Sequence, residues 1–239
     1  MDEIVLASWK DRFWAWLIDV LLISLLWHSV LVVLNMTAFG RSGILLLASS
    51  LLILRWFCGK AEVLLGVSAV LLYNGFYTYL KRVWPFAAVP GAVIGALPPF
   101  IGWTAAGGSF DDPRIFAVAL FFFIWQMPHF WILLFIYGRD YERAGLPALT
   151  KVFHLKQLVR ITFWGVLITA VSGLLFPFYG VISSWWICFA LVACSIVLVI
   201  RSWMILREEQ SGRALWKALH AINLYALCIM AFLIADALL

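Results

Sequence analysis

A glutamine and a histidine lie near the middle of a long apolar run, on either side of a proline. The run reads Trp125-Gln126-Met127-Pro128-His129-Phe130-Trp131. Polar groups are costly to hold in lipid, so a Gln and a His at this depth indicate either a satisfied structural contact or a ligand. The aromatic residues around them suit a flat, conjugated molecule. The residue types alone leave both interpretations open.

Two further polar clusters stand where apolar runs meet positive charge. The first ends in Tyr77-Thr78-Tyr79-Leu80-Lys81-Arg82, and the second, which we expect to open the longest loop, contains Arg139-Asp140-Tyr141. Carboxylates and arginines mixed at a membrane surface can hold Mg²⁺ and phosphate oxygens. The alternatives are a tyrosine belt with snorkelling Lys and Arg for the first cluster, and an ordinary charged loop for the second.

Two adjacent prolines, Pro98 and Pro99, interrupt another apolar run between Gly95 and Trp103. Because proline has no amide hydrogen, the carbonyls one turn earlier lose their partners. In a membrane those carbonyls must be satisfied by protein or lie against a cavity. The pair therefore predicts a break in the helical amide ladder, either as a packing kink or as part of a cavity wall.

Membrane-spanning helices must position these clusters. Hydrophobic residues make up 65% of the 239 residues and charged residues 12%, about half the charged share of a soluble domain. A spanning helix needs roughly 20 apolar residues, and the candidate spans are 13–35, 42–58, 62–80, 86–104, 114–137, 159–179, 184–203 and 217–238. We therefore expect an all-α, polytopic transmembrane bundle of about eight helices, in an integral membrane protein of the bacterial inner-membrane type.

The net charge of +5 has a topological explanation. Most Lys and Arg lie between apolar runs, as in cytoplasmic loops, so a nucleic-acid partner is not expected. Basic residues mark three inside loops, near 81–82, 139–160 and 201–217, whereas the loop with Asp111 and Asp112 is acidic. Counting back leaves two options for the start of the chain: an outside N-terminus, or a first segment that lies along the interface.

The four clusters together resemble the protoheme IX farnesyltransferases (haem O synthases) of the UbiA-type intramembrane prenyltransferase superfamily. The family's run reads roughly Tyr-Thr-x-x-Leu-Lys-Arg, Gly-Ala-x-Pro-Pro-x-x-Gly-Trp, Trp-Gln-x-Pro-His-Phe-Trp and Asp-Asp-Tyr-x-x-Ala-Gly-x-Pro. This sequence carries it from Tyr77 to Pro147. Looser similarity covers residues 42–239, which the resemblance makes a UbiA-like helical bundle, preceded by a divergent N-terminal membrane segment, 1–41.

The resemblance implies a reaction in which farnesyl diphosphate enters the bundle from the lipid and Mg²⁺ on two aspartate-rich motifs binds the diphosphate. An allylic cation then forms at C1, and a vinyl group of haem b captures it. Carried over to this sequence, the catalytic residues would be Lys81, Arg82, Asp140 and Tyr141, with Asp140 the metal ligand. The substrate-binding residues would be Tyr77, Trp125, Gln126, His129, Trp131 and Arg139, with His129 the best candidate to touch haem iron.

Three departures from the family pattern keep other functions open. The family's first aspartate-rich motif is absent from the 239 residues, Arg139 replaces one carboxylate of the second, and Ala87 stands where the family has Asn. Eight spans would also be one fewer than the family's nine. The alternatives are a catalytically impaired relative that binds haem or an isoprenoid and assists haem–copper oxidase assembly, and half of a split enzyme whose missing motif comes from another chain.

Overall fold

The computed structural model describes residues 52, 55–56, 59–143, 145, 147, 149–207 and 212–239. The predicted spans 13–35 and, almost entirely, 42–58 lie outside the described residues, as does the segment 1–41. The description below concerns the remaining part of the chain.

Six long helices make up this part, and it contains no strand within the described residues. They are α1 (Lys60–Val83), α2 (Ala88–Ala105), α3 (Pro113–Arg143), α4 (Leu155–Leu174), α5 (Trp185–Arg207) and α6 (Gly212–Leu238). A short 3₁₀ turn, Leu149–Lys151, precedes α4. Helices that follow one another in the chain pack side by side, and α3 also packs against α6.

All six helices are long and apolar enough to cross a membrane. In each candidate span at most half of the residues are buried inside the protein, and many of the outward residues are large and apolar. On α5 they include Phe189, Ile196, Val197 and Ile200. Side chains of this kind are stable only against lipid, so the chain is an integral, multi-pass membrane protein. The predicted spans from 62–80 to 217–238 are thereby confirmed as helices.

Two boundaries differ from the prediction. The span predicted as 159–179 is a helix that ends at Leu174, because the chain turns through Pro177 and a left-handed Gly180 with φ +66°. The span that was predicted to end at residue 137, before the cluster with Arg139-Asp140-Tyr141, instead continues as α3 to Arg143. Polar residues at a helix end are compatible with helix, and the loop signals Gly145 and Pro147 come only after it.

The proline pair does not end α2, which is helical from Ala88 through both prolines to Ala105. The predicted loss of backbone hydrogen bonds is confined to the two that the missing amide hydrogens of Pro98 and Pro99 would have donated. Lost hydrogen bonds of this kind are tolerated in a membrane helix when neighbouring helices pack closely around it. Here the next helix, α3, packs along α2.

One end of the bundle gathers most of the basic residues in the described part of the chain, and we call it the basic face. It consists of the ends of α1, α3 and α5 and the starts of α2, α4 and α6. Aromatic contacts join these ends: the ring centroids of Tyr137 and Trp216 lie 6.4 Å apart, and those of Phe163 and Trp203 lie 5.5 Å apart. The three predicted inside loops therefore lie at one end of the bundle, as alternating helices require.

We call the opposite end of the bundle the acidic face. Asp236 near the end of α6 accepts hydrogen bonds from the backbone amides of Ser183 and Ser184, at 2.7–3.0 Å, just before α5 begins. This contact joins the end of α6 to the start of α5. The Arg114 guanidinium donates to Asp112 Oδ2 at 2.6 Å at the start of α3, and this hydrogen bond holds the pKa of the Asp112 carboxyl below its usual value.

The core lies among α3, α4, α5 and α6. Its largest buried side chains include Phe121, Phe176 and Tyr225. The Tyr225 hydroxyl lies 2.9 Å from Ser195 Oγ and donates to the Ala170 carbonyl at 3.4 Å, so one phenol joins α6 to α5 and α4. The core therefore provides a rigid frame for the inner side of α3.

Candidate active site

Helix α1 changes its hydrogen-bonding pattern at the Tyr–Lys cluster. Residues Lys60–Leu71 are α-helical, Leu72–Tyr77 form a π-helical segment, and Thr78–Val83 return to α-helix. The backbone amide of Thr78 donates to the Tyr73 carbonyl, and its hydroxyl donates to the same oxygen at 2.9 Å. Isolated π turns are rare and occur frequently at functional sites.

The π segment and the helical turn after it place two tyrosines and a lysine at the basic face. The ring centroids of Tyr73 and Tyr77 lie 5.4 Å apart, and Lys81 Nζ lies 5.7 Å from the Tyr77 ring centroid. The structure therefore brings the predicted residues Tyr77 and Lys81 together, with Tyr73 beside them. The predicted residue Tyr141 lies at the same face, in the last turn of α3.

A glycine on α2 fixes the position of Tyr77. A Cβ built on Gly91 would lie 2.8 Å from two carbons of the Tyr77 ring. Such a distance is too short for a real contact, so only a residue without a side chain fits here. Packing of Tyr77 on Gly91 joins α1 to α2 directly beneath Lys81.

The chemistry of this cluster suits an anion. Lys81 is partly buried and Arg82 is exposed; both are cations, and phenol hydroxyls add neutral hydrogen-bond donors. Cations and hydroxyls in one place bind phosphate oxygens through charge-assisted hydrogen bonds. Arg139 and Asp140 lie in the last turns of α3, two residues and one residue before Tyr141.

The predicted residues in the middle of α3 face different neighbours. Gln126 lies against α2, where a Cβ on Gly95 would overlap its Oε1. Trp131 lies against α4, because a Cβ on Gly165 would be 3.1 Å from the Trp131 ring. The Trp131 indole nitrogen is buried and has no hydrogen-bond partner in the described part of the chain. Gln126 and Trp131 therefore do not join Trp125 and His129 on one wall.

Trp125 and His129 form a pair that contacts α6. Their ring centroids lie 5.1 Å apart with 33° between the planes, as expected for residues four apart on one helix face. Trp125 Nε1 donates to the Ile222 carbonyl at 3.1 Å, and His129 Nδ1 lies 2.8 Å from Asn223 Oδ1. An amide oxygen can only accept, so Nδ1 is the donor in this contact, and in the neutral form of the ring the lone pair then lies on Nε2.

Metal ligands are not gathered in the described residues: no group of three or more His, Cys, Asp or Glu side chains there could hold a metal ion. The described side chains beside Lys81 are phenols and cations. Mg²⁺ prefers oxygen ligands with negative charge, in octahedral geometry. The side chains described around Lys81 therefore do not fit a Mg²⁺ ion by themselves.

Two parts of this arrangement were not predicted. The first is the π segment, because its residue types are also compatible with ordinary helix. Tyr73 begins the polar cluster that ends in Lys81 and Arg82, but it was not among the predicted site residues. The second is Asn223. Asn223 is 94 residues from His129 in the chain. Asn223 is a polar residue at membrane depth in the last apolar span, and that property could have identified it as a partner for another polar side chain.

Comparison with known proteins agrees with the motifs. The model of the UbiA prenyltransferase family matches residues 33–227. Protoheme IX farnesyltransferase of Oleidesulfovibrio alaskensis is 32% identical over 206 residues, which are 84% of this chain and 69% of that protein. Protoheme IX farnesyltransferase of Geobacter sulfurreducens is 44% identical over 127 residues, 52% of this chain and 46% of that protein.

The chain spans less of some relatives than of others. It covers 61% of protoheme IX farnesyltransferase from Nitratidesulfovibrio vulgaris strain DP4, at 31% identity, and somewhat less than half of the Geobacter protein. No solved structure matches the chain. The family match covers most of the chain and includes the basic-face cluster and the middle of α3. The chain therefore belongs to the UbiA prenyltransferase family.

Proposed function

We propose that this protein is a haem O synthase-like membrane prenyltransferase, which transfers the farnesyl group of farnesyl diphosphate to a vinyl group of haem b. The observation that carries the proposal is the pair of Tyr77 and Lys81 at the basic face of a UbiA-family bundle, the end of the bundle at which Tyr141 also lies. The farnesyltransferases that match the chain support the choice of substrates.

The cluster would bind the diphosphate and stabilise its charge as it leaves. Lys81 and Arg82 supply positive charge, and Arg139 is proposed as a further phosphate contact. The hydroxyls of Tyr77 and Tyr141 would donate hydrogen bonds to phosphate oxygens. Donors that are already in place when negative charge develops on a leaving group lower the barrier without reorganisation.

The reaction then proceeds by heterolysis. The bond between C1 of the farnesyl chain and the bridging oxygen breaks, and the diphosphate keeps the electron pair. The vinyl group of haem b attacks the allylic cation at C1 and forms the new carbon–carbon bond. Water adds to the resulting cation and releases a proton, which leaves a hydroxyethylfarnesyl group. Apolar helix walls would keep water from the first cation.

The pair of Trp125 and His129 is the proposed contact for the tetrapyrrole. Trp125 offers an aromatic face, and His129 offers Nε2 with a free lone pair, which is the form of imidazole that binds iron. Gln126 and Trp131 remain proposed substrate contacts from neighbouring faces of α3. The distance of these residues from the end of the helix suits an acceptor that lies deeper in the membrane than the diphosphate.

Asp140 is the proposed metal ligand. When bound, Mg²⁺ would add positive charge at the leaving diphosphate. Since the described side chains beside Lys81 do not fit the ion by themselves, none of the steps above is assigned to it.

The proposal is tested by giving purified protein haem b, farnesyl diphosphate and Mg²⁺ and separating the haems by reverse-phase chromatography. We expect a more hydrophobic haem from the wild type and a large loss of it from Lys81→Met. Lys60→Met is the matched control, because Lys60 is an exposed lysine at the other end of the same helix. It should leave the product yield unchanged.

The outcome separates the proposal from its alternatives. Absence of product while haem remains bound would contradict the transferase and favour a haem-binding relative that assists haem–copper oxidase assembly. Product that forms only when a second chain with an aspartate-rich motif is added would favour half of a split enzyme. Equal yields from Lys81→Met and Lys60→Met would remove the basic-face cluster from the reaction.

A further inference from the structure

The π-helical segment in α1 points to a residue that the reaction scheme above does not include. We propose that Thr78 is a positioning residue for the diphosphate site: its hydroxyl secures the π turn that holds Tyr73 and Tyr77 in register with Lys81. The inference rests on the proposed function, because it concerns the affinity of the same site for diphosphate.

The first step is the hydrogen bonding at the end of the π segment. The Tyr73 carbonyl accepts two hydrogen bonds from one residue, one from the backbone amide of Thr78 and one from its hydroxyl at 2.9 Å. The amide bond spans five residues, which is the π pattern, and a regular α-helix would use the carbonyl of Asn74 instead. The hydroxyl therefore adds its hydrogen bond to a carbonyl that, in a regular α-helix, would accept from the amide of Tyr77 and not from that of Thr78.

The second step is the direction of the helix that follows. A π turn contains one more residue than an α turn, and each residue of an α-helix turns the chain by about 100°. If Leu72–Tyr77 relaxed to α-helix, Lys81 would rotate by about this angle relative to the first part of α1. The π turn therefore sets the direction of Lys81 relative to the side chains in the first part of α1.

The third step is that contacts fix the π turn in place. Tyr77 is held on Gly91 of α2, and the Tyr73 ring lies 5.4 Å from the Tyr77 ring. Lys81 in turn lies over the Tyr77 ring. A looser π turn would therefore disturb the spacing between Tyr73 and Lys81 without removing either group.

A hydroxyl bound to its own helix is also a common structural detail. Thr104 at the end of α2 shows that case, since its Oγ1 donates to the carbonyls of Phe100 at 3.0 Å and Ile101 at 3.2 Å within ordinary α-helix. Thr104 lies at the acidic face, far from Lys81. It is the matched control for the loss of a threonine hydroxyl.

The experiment measures equilibrium binding of inorganic diphosphate to the full-length protein in detergent by isothermal titration calorimetry. We expect Thr78→Val to weaken binding roughly fivefold, the effect of one net hydrogen bond. Thr78→Ser, which keeps the hydroxyl, and Thr104→Val should both remain within about twofold of the wild type. Haem affinity and the midpoint of thermal unfolding should be the same for Thr78→Val and Thr104→Val.

Three results would overturn the inference. Thr78→Val with wild-type affinity for diphosphate removes the role of the hydroxyl, and so does a Thr78→Ser variant that is as weak as Thr78→Val. If Lys81→Met weakens binding while Thr78→Val does not, the positioning role fails and the proposed function stands. If the wild type itself does not bind diphosphate, the proposed function fails together with the inference.

Discussion

Asn223 Oδ1 lies 2.8 Å from His129 Nδ1, and this hydrogen bond joins the last helix of the chain to the middle of α3. It determines which ring nitrogen of His129 carries the proton. Asn223, which takes no direct part in the proposed reaction, thereby determines whether Nε2 of His129 is available as a ligand.

Replacement of Asn223 by Leu should weaken haem binding about tenfold, because loss of a partner that orients a ligating His typically reduces metal affinity by at least that factor. Titration of ferric haem into the purified variant, followed by the Soret band, measures the effect. Asn223→Asp is the control, since it keeps an oxygen acceptor at the same place. Unchanged haem affinity in Asn223→Leu would show that His129 does not need this tautomer.

Replacement of Gly95 by Ala should separate α2 from α3. A methyl group at this position overlaps Gln126 Oε1, and overpacking of this kind costs about 1–3 kcal/mol. We expect a lower midpoint of thermal unfolding in detergent. The double variant with Gln126→Ala removes the overlapping group and should recover most of the loss. A double variant as unstable as Gly95→Ala alone would mean that another contact causes the effect.

Replacement of Tyr141 by Phe should raise the KM for farnesyl diphosphate roughly fivefold, because it removes one hydroxyl donor and keeps the ring. Steady-state kinetics at saturating haem measure this. Tyr179→Phe is a suitable control: Tyr179 is also exposed, and it follows α4 at the acidic face. Equal KM values for the two variants would place Tyr141 outside the diphosphate site.

Replacement of Asp236 by Ala should destabilise the protein without changing its ligand affinities. Its carboxylate caps the start of α5 through the amides of Ser183 and Ser184, and loss of a cap costs about 0.5–2 kcal/mol. The midpoint of thermal unfolding should fall, while affinity for diphosphate stays that of the wild type. A change in that affinity would indicate that the acidic face is coupled to the basic face.

The sequence predicted most of the described helices because hydropathy and length alone define a membrane span. It did not predict which way individual side chains face. Trp125 and His129 are four residues apart and share a face by helical periodicity, whereas Gln126 is turned by about 100°. Which neighbour each face meets depends on packing with residues such as Gly95, Gly165 and Asn223, and these are distant in the chain.

The π segment shows a second limit of prediction from the sequence. Leu72–Tyr77 contains residues that are compatible with ordinary helix, and the change of pattern is visible only in the acceptor that Thr78 uses. The end of α3 was placed too early for a related reason. Charged residues suggested a loop at Arg139, but charge at a membrane surface is compatible with a helix that continues into water.

Helix α3 has 31 residues, which correspond to roughly 46 Å, whereas the hydrocarbon core of a bilayer is about 30 Å thick. Its last turns therefore extend into the headgroup layer as continuous helix. In the proposed reaction, the charged end of the prenyl substrate would meet this helix end without leaving the headgroup layer, and its tail would stay among the acyl chains. Substrate capture then becomes a search in two dimensions, along the plane of the membrane, and no charge has to cross the hydrocarbon.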